Sequence, residues 1–131
     1  MMKMYRILSL FLVITAVAGC NSNDVELVSK WRLIEQLTDP GDGSGTFQPV
    51  VSSKVVEFWD DQTITSNGSI CSMSATTNSA SSGTYNESDM QIEVNGCTTQ
   101  AFPLTYEMED GNLILNYPCI EPCREKYEPV Q

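Results

Sequence analysis

The chain of 131 residues contains no histidine. That absence removes the commonest general base near neutral pH and the commonest metal ligand. Nucleophile systems that couple a serine or a cysteine to histidine are excluded with it. Positive charge is scarce as well: seven lysines and arginines stand against 17 aspartates and glutamates, a formal net charge of −10. Nucleic-acid binding is dominated by phosphate neutralisation, so an acidic chain is poorly suited to it. The same shortage argues against a polybasic contact with anionic lipid headgroups. A long apolar run is also lacking. The uncharged stretch from Ile7 to Ala18 is shorter than the about 20 residues a membrane-spanning helix needs.

What is present begins at the N-terminus. Lys3 and Arg6 precede that short apolar stretch, and small residues then lead into Val17-Ala18-Gly19-Cys20. This is the layout of a secretory signal peptide. A cysteine at the cut point resembles the lipobox of bacterial lipoproteins. The resemblance implies that Cys20 is diacylated, becomes the first residue of the mature chain and is then N-acylated. The expected organisation is a signal peptide over 1–19, a lipidated N-terminus and tether over 20–28, and one domain over 29–131. Removing 1–19 takes away two basic residues and no acid. Five basic residues (Lys30, Arg32, Lys54, Arg124, Lys126) then face all 17 acidic ones, a net charge of −12. Three acyl chains, at about 0.8 kcal/mol per buried CH2, would hold the domain on a membrane. Asn21 after the cysteine points to the outer membrane under the usual sorting rule.

Four cysteines follow Cys20: Cys71, Cys97, Cys119 and Cys123. An even count in an exported chain is read as disulfides. Three pairings are open, of which Cys119 with Cys123 and Cys71 with Cys97 is favoured. A four-thiolate zinc site wants two close cysteine pairs, and only one is present.

The remaining pattern is β almost throughout. Trp31, Leu33 and Leu37 share one parity, as do Val56 and Phe58. Met90, Ile92 and Val94 alternate, and so do Leu104, Tyr106 and Met108. Asp110-Gly111 is a strong hairpin signal, and Leu113, Leu115 and Tyr117 alternate beyond it. A period of two with turn residues every 8–12 positions marks an all-β sandwich or barrel. About eight short strands are expected, near 29–37, 53–59, 63–70, 83–87, 90–95, 103–109, 112–118 and 124–130. Two segments break the rhythm. Residues 39–45 hold a proline and three glycines and must form a loop. Residues 72–82 are seven parts serine or threonine in eleven and read as a mobile loop.

Asp39, Asp42 and Ser44 offer oxygen ligands of the kind calcium prefers, but not at EF-hand spacing. The preferred reading is an omega-type loop folded over a barrel end, with Phe47 as a plug or gate. No metal or other cofactor is expected. Asp60-Asp61 would point to opposite faces of a strand and are read as turn residues. Glu107, Glu109 and Asp110 are read as a solvated strand face and turn. Trp59 breaks parity with Phe58 and belongs on the outer wall or at a rim.

Several pieces together resemble the small lipocalin-like lipoproteins of the bacterial cell envelope. They are Trp31-Arg32-Leu33, the 39–47 loop, Phe58 with Asp60-Asp61-Gln62-Thr63, Ser82-Gly83-Thr84-Tyr85 and Asp110-Gly111-Asn112-Leu113. The resemblance implies an antiparallel up-and-down β-barrel of about eight strands, closed so that no edge is left open. Larger lipocalins carry glycine two residues before the tryptophan, where this chain has Ser29. Gln62 stands where the second hairpin more often has glycine. The expected inward set is bulky: Trp31, Leu33, Val56, Phe58, Tyr85, Ile92, Leu104, Tyr106, Met108, Leu115 and Tyr117. An eight-stranded barrel has room for its own side chains or one small ligand.

With no histidine and no clustered acid–base pair, a non-catalytic binding module is expected. One version binds a small apolar ligand at the barrel mouth among Trp31, Phe47, Tyr106 and Tyr117. The other is a filled barrel whose surface loops bind an envelope protein, as an inhibitor or interaction domain.

Overall fold

The computed structural model describes residues 25–97 and 103–131. The expected signal peptide, Cys20 and the start of the tether lie outside the described residues. Nine strands and no helix form the described chain: β1 (Lys30–Thr38), β2 (Gln48–Pro49), β3 (Val55–Phe58), β4 (Thr63–Ser66), β5 (Ser81–Asn86), β6 (Gln91–Val94), β7 (Leu104–Glu109), β8 (Asn112–Tyr117) and β9 (Cys123–Pro129). Neighbours pair antiparallel in the order β2-β1-β3-β4-β5-β6-β7-β8-β9, and β1 also pairs with β9. The β1–β9 seam runs from Trp31↔Pro129 to Thr38↔Cys123 and closes the sheet on itself. The result is an eight-stranded antiparallel barrel, compatible with a lipocalin-like fold, with β2 as an extra strand beside β1.

The barrel has two unlike ends. The hairpin end carries the turns 59–62, 87–90 and 110–111 together with the start of β1 and the finish of β9. The loop end carries the longer segments 39–47, 50–54, 67–80 and 118–122. Asp110 and Gly111 both have positive φ (51° and 77°), the conformation a two-residue I′ turn requires. Gly83 serves a different need. A Cβ there would stand 2.0 Å from the Glu93 carbonyl oxygen on β6, so β5 and β6 approach as closely as they do only without a side chain.

Alternation fills the interior with side chains. Trp31, Val56, Ile64, Leu104, Leu113, Leu115 and Tyr127 have no exposed surface, and Leu33, Phe58 and Ile92 have 2% or less. Burying that much apolar surface is the main favourable term of folding. On the outer wall, cross-strand ion pairs join Lys30 to Glu57 (3.4 Å), Lys126 to Glu35 (2.7 Å), Arg124 to Glu107 (3.7 Å) and Arg32 to Glu128.

Several expectations need correction. The register of β1 against β9 shifts between Leu33 and Glu35, and this bulge reverses the inward parity. Gln36 therefore reaches inward while Leu37 does not stay with Trp31 and Leu33. The fourth strand stops at Ser66 rather than running to 70, because the Ser66 hydroxyl turns back to the Val55 carbonyl (2.8 Å) and accepts from the Gly68 amide (3.1 Å). Met90 belongs to a turn with φ 53° and is half exposed, and Met108 is 39% exposed near the hairpin end. Residues 81 and 82, assigned above to a mobile loop, begin β5.

Candidate functional site

The chemistry of the interior concentrates at the loop end. Lys54 precedes β3 on the same parity as Val56 and Phe58. Glu125 lies on β9 on the same parity as Tyr127. Both side chains are driven into the barrel with 0% exposure, and Lys54 Nζ meets Glu125 Oε2 at 2.8 Å. An isolated buried charge would be prohibitively costly, and the surroundings explain how this pair is tolerated. Glu125 Oε2 also accepts from the Tyr117 hydroxyl (2.6 Å) and the Tyr127 hydroxyl (2.5 Å). Its Oε1 accepts from Gln36 Nε2 (2.8 Å) and the Ser74 amide (3.0 Å). Lys54 Nζ donates in addition to the Ser74 carbonyl (2.9 Å) and lies 5.9 and 6.0 Å from the Tyr117 and Tyr127 rings. Burial draws the Lys54 ammonium below its usual pKa, and the adjacent Glu125 charge opposes that shift. Burial pushes both tyrosines well above 10, with Glu125 adding to the rise.

The segment 67–80 is therefore a lid, not a mobile loop. Both polar groups of the Ser74 peptide are held by the buried pair. Ala75 accepts from the Ser52 hydroxyl at 2.6 Å. Ile70 is wholly buried, and Met73 and Ala75 pack on the core. The Cys71–Cys97 disulfide ties this lid to the end of β6, and Cys119–Cys123 closes the turn before β9. Both are the favoured pairings.

At the hairpin end closure is aromatic. Phe58, Tyr85 and Tyr106 meet edge to face, with centroids 4.9, 5.5 and 6.3 Å apart. The Tyr85 hydroxyl donates to the Trp59 carbonyl (2.7 Å), and the Tyr106 hydroxyl reaches the Asn86 carbonyl (3.4 Å). Burial, with help from Glu87, lifts Tyr106 to about 12. Trp59 itself is 43% exposed at the rim and donates to Thr65.

The four residues expected to line one ligand site do not converge. Trp31 is wholly buried and donates from Nε1 to the Leu27 carbonyl (3.0 Å). Tyr106 belongs to the aromatic cluster and Tyr117 to the ionic one. Phe47 does not plug the mouth: Lys126 Nζ stands 4.1 Å over its ring. Lys126 alternates with inward Glu125 and Tyr127, which places that contact on the outer wall. The 39–45 loop uses its own carboxylate. Asp39 accepts from the amides of Gly41 (2.7 Å), Gly43 (3.0 Å) and Gly45 (2.7 Å). These amides, that of Gly45 foremost, hold Asp39 below the usual carboxylate range. Among the described residues no group of three or more acidic or cysteine side chains is placed to hold a metal ion.

Comparison with protein families, with curated proteins and with solved structures finds no match.

Proposed function

We propose that this protein is a lipid-anchored, non-catalytic domain of the bacterial cell envelope that acts through its outer surface and loops, as an interaction or inhibitor module. The observation that carries this reading is the filled interior: Trp31, Val56, Leu104, Leu115 and Tyr127 have no exposed surface, and both ends are sealed by the chain's own groups. Apolar ligands occupy concave sites that bury most of their surface, and an interior occupied by side chains offers none. The anchor rests on Cys20 and its lipobox-like setting, and Asn21 assigns it to the outer membrane. The acidic charge keeps the domain solvated and favours partners of opposite charge.

The test uses residues 21–131 produced with both disulfides formed and titrated with an environment-sensitive apolar dye. The expected result is no saturable signal from a folded domain. Saturable one-to-one binding displaced by fatty acids would replace this reading with ligand carriage at the barrel mouth.

A further inference from the structure

We infer that the loop end is the docking surface, with Ile120 as a preformed apolar knob that enters an apolar pocket with a basic rim on a partner protein. This rests on the reading that the domain acts through its surface. Seven large apolar residues are exposed among the described ones. Five of them (Val28, Trp59, Met90, Met108 and Val130) are only 39–52% exposed. Val51 and Ile120 stand apart at 104% and 101%, and both lie at the loop end.

Ile120 is held there by construction. Cys119 and Cys123 are bridged, Pro118 and Pro122 flank the turn, and the Pro122 carbonyl accepts from the Asp39 amide at 3.0 Å. The Val51 segment is fixed on both sides, since the Val50 amide donates to Ile34 (2.9 Å) and the Ser52 hydroxyl to Ala75. A backbone already fixed around an exposed side chain spares binding the cost of ordering that segment. The knob is convex, so its complement is concave.

Two further observations choose the occupant. Val25 and Leu27 pack against the core, and a Cβ at Gly111 would stand 3.8 Å from Val25. The chain thus departs beside the 110–111 turn, at the hairpin end. Only four residues lie between Cys20 and Val25, five steps of chain with a reach of about 18 Å at full extension. An anchor at Cys20 keeps the hairpin end toward the bilayer and turns Ile120 away from it. Charge supplies the rest. Each lysine and arginine among the described residues already faces a carboxylate. By contrast, exposed Glu121, next to the knob, and exposed Asp42, next to Gly41 whose added Cβ would stand 3.2 Å from Glu121 Oε1, have no ion pair among the described residues. Basic groups on a partner would meet them, and a second copy of this acidic surface would not.

The experiment places benzoylphenylalanine at position 121, and separately at position 89 on the hairpin end, in the full-length lipoprotein. Each form is irradiated with detergent-solubilised envelope membranes of the source cells, and adducts are mapped by mass spectrometry. The expected result is one adduct from position 121 whose crosslinked peptide lies in an apolar pocket bordered by lysine or arginine. Ile120→Asp should lower its yield at least tenfold and Asp42→Lys several-fold, with Tm unchanged in both. An adduct from position 89 and none from 121 would overturn the inference while leaving the surface reading intact. A 121 adduct joining two copies of this chain, or Ile120-dependent binding to phosphatidylethanolamine–phosphatidylglycerol vesicles, would also overturn it. No adduct from either position would sink both.

Discussion

The two ends of the barrel are closed by opposite chemistry. At the hairpin end three aromatic rings fill the opening, and two of their hydroxyls reach backbone carbonyls at Trp59 and Asn86. At the loop end a buried ammonium and carboxylate fill it, and the segment that covers them belongs to a distant part of the chain. Aromatic closure rests mainly on buried area, with the edge-to-face geometry adding a smaller share for each pair. Ionic closure holds only while every partner is present, because a lone buried charge is far worse than none. The hairpin end should therefore degrade gradually under mutation, and the loop end abruptly.

The largest effect expected is from Glu125→Leu, which leaves Lys54 charged and unpaired. It should cost about 3–5 kcal/mol in denaturant unfolding, and adding Lys54→Met should restore most of that loss. A double variant no more stable than the single one would mean that Glu125 acts through its tyrosine and Ser74 bonds rather than through the ion pair. Next comes the strap on the lid. Replacing both Cys71 and Cys97 by serine should cost about 2–4 kcal/mol. Hydrogen exchange should speed up at the Ile70 and Ser74 amides, while the Trp59 and Gln62 amides, bonded within the 59–63 turn, stay protected. Uniform loss of protection at both ends would dissolve the distinction between them.

Removing one hydroxyl at each end makes a finer comparison. Tyr127→Phe takes a donor from a buried carboxylate and should cost about 1.5–3 kcal/mol, whereas Tyr85→Phe breaks a neutral bond at the rim and should cost about 1. The loop-end tyrosines also predict a pH response. Their pKa values are raised in the folded state, so folding retains protons that the unfolded chain gives up near pH 10. Their stabilising contribution is complete below pH 10 and is lost as pH rises beyond it. Thermal unfolding between pH 9 and 11 should show that decline, and Tyr127→Phe should flatten it.

Much of the barrel was legible because strand formation is local. The inward set from Trp31 to Tyr117 was read from alternation and is buried except for Met108. Asp110-Gly111 announced its turn, and the glycine of Ser82-Gly83-Thr84 sits where β6 leaves no space. What escaped depends on contacts between distant residues. The bulge after Leu33 leaves no mark in a pattern of alternating residues, so Leu37 was given the wrong parity. The Ser/Thr-rich segment is polar in composition, but its lid role is carried by the backbone of Ser74, which composition does not register. Lys54 and Glu125 did leave a trace. Each sits on the core parity of its strand, two residues from Val56 and from Tyr127, and a charge at such a position implies a buried partner.

Gln62 sharpens the comparison at the smallest scale. It has φ 67°, in the left-handed region that disfavours a side chain by about 1–2 kcal/mol. This is the hairpin position where the resemblance led one to expect glycine. The bonds Gln62 makes in the turn are main-chain ones: its amide donates to the Trp59 carbonyl (3.1 Å), and its carbonyl accepts from the Tyr85 amide (2.9 Å). Gln62→Gly keeps both bonds and relieves the strain, against a loss of about 0.5–1 kcal/mol from the greater freedom of glycine in the unfolded chain. A net gain of about 0.5 kcal/mol is expected, seen as a Tm rise of about 2–4 °C. Exchange at the Ser74 amide should not change, because the strain belongs to the hairpin end alone. A fall in Tm would show that the Gln62 side chain contributes more to the rim than its backbone costs, and would move that end away from closure by aromatic packing alone.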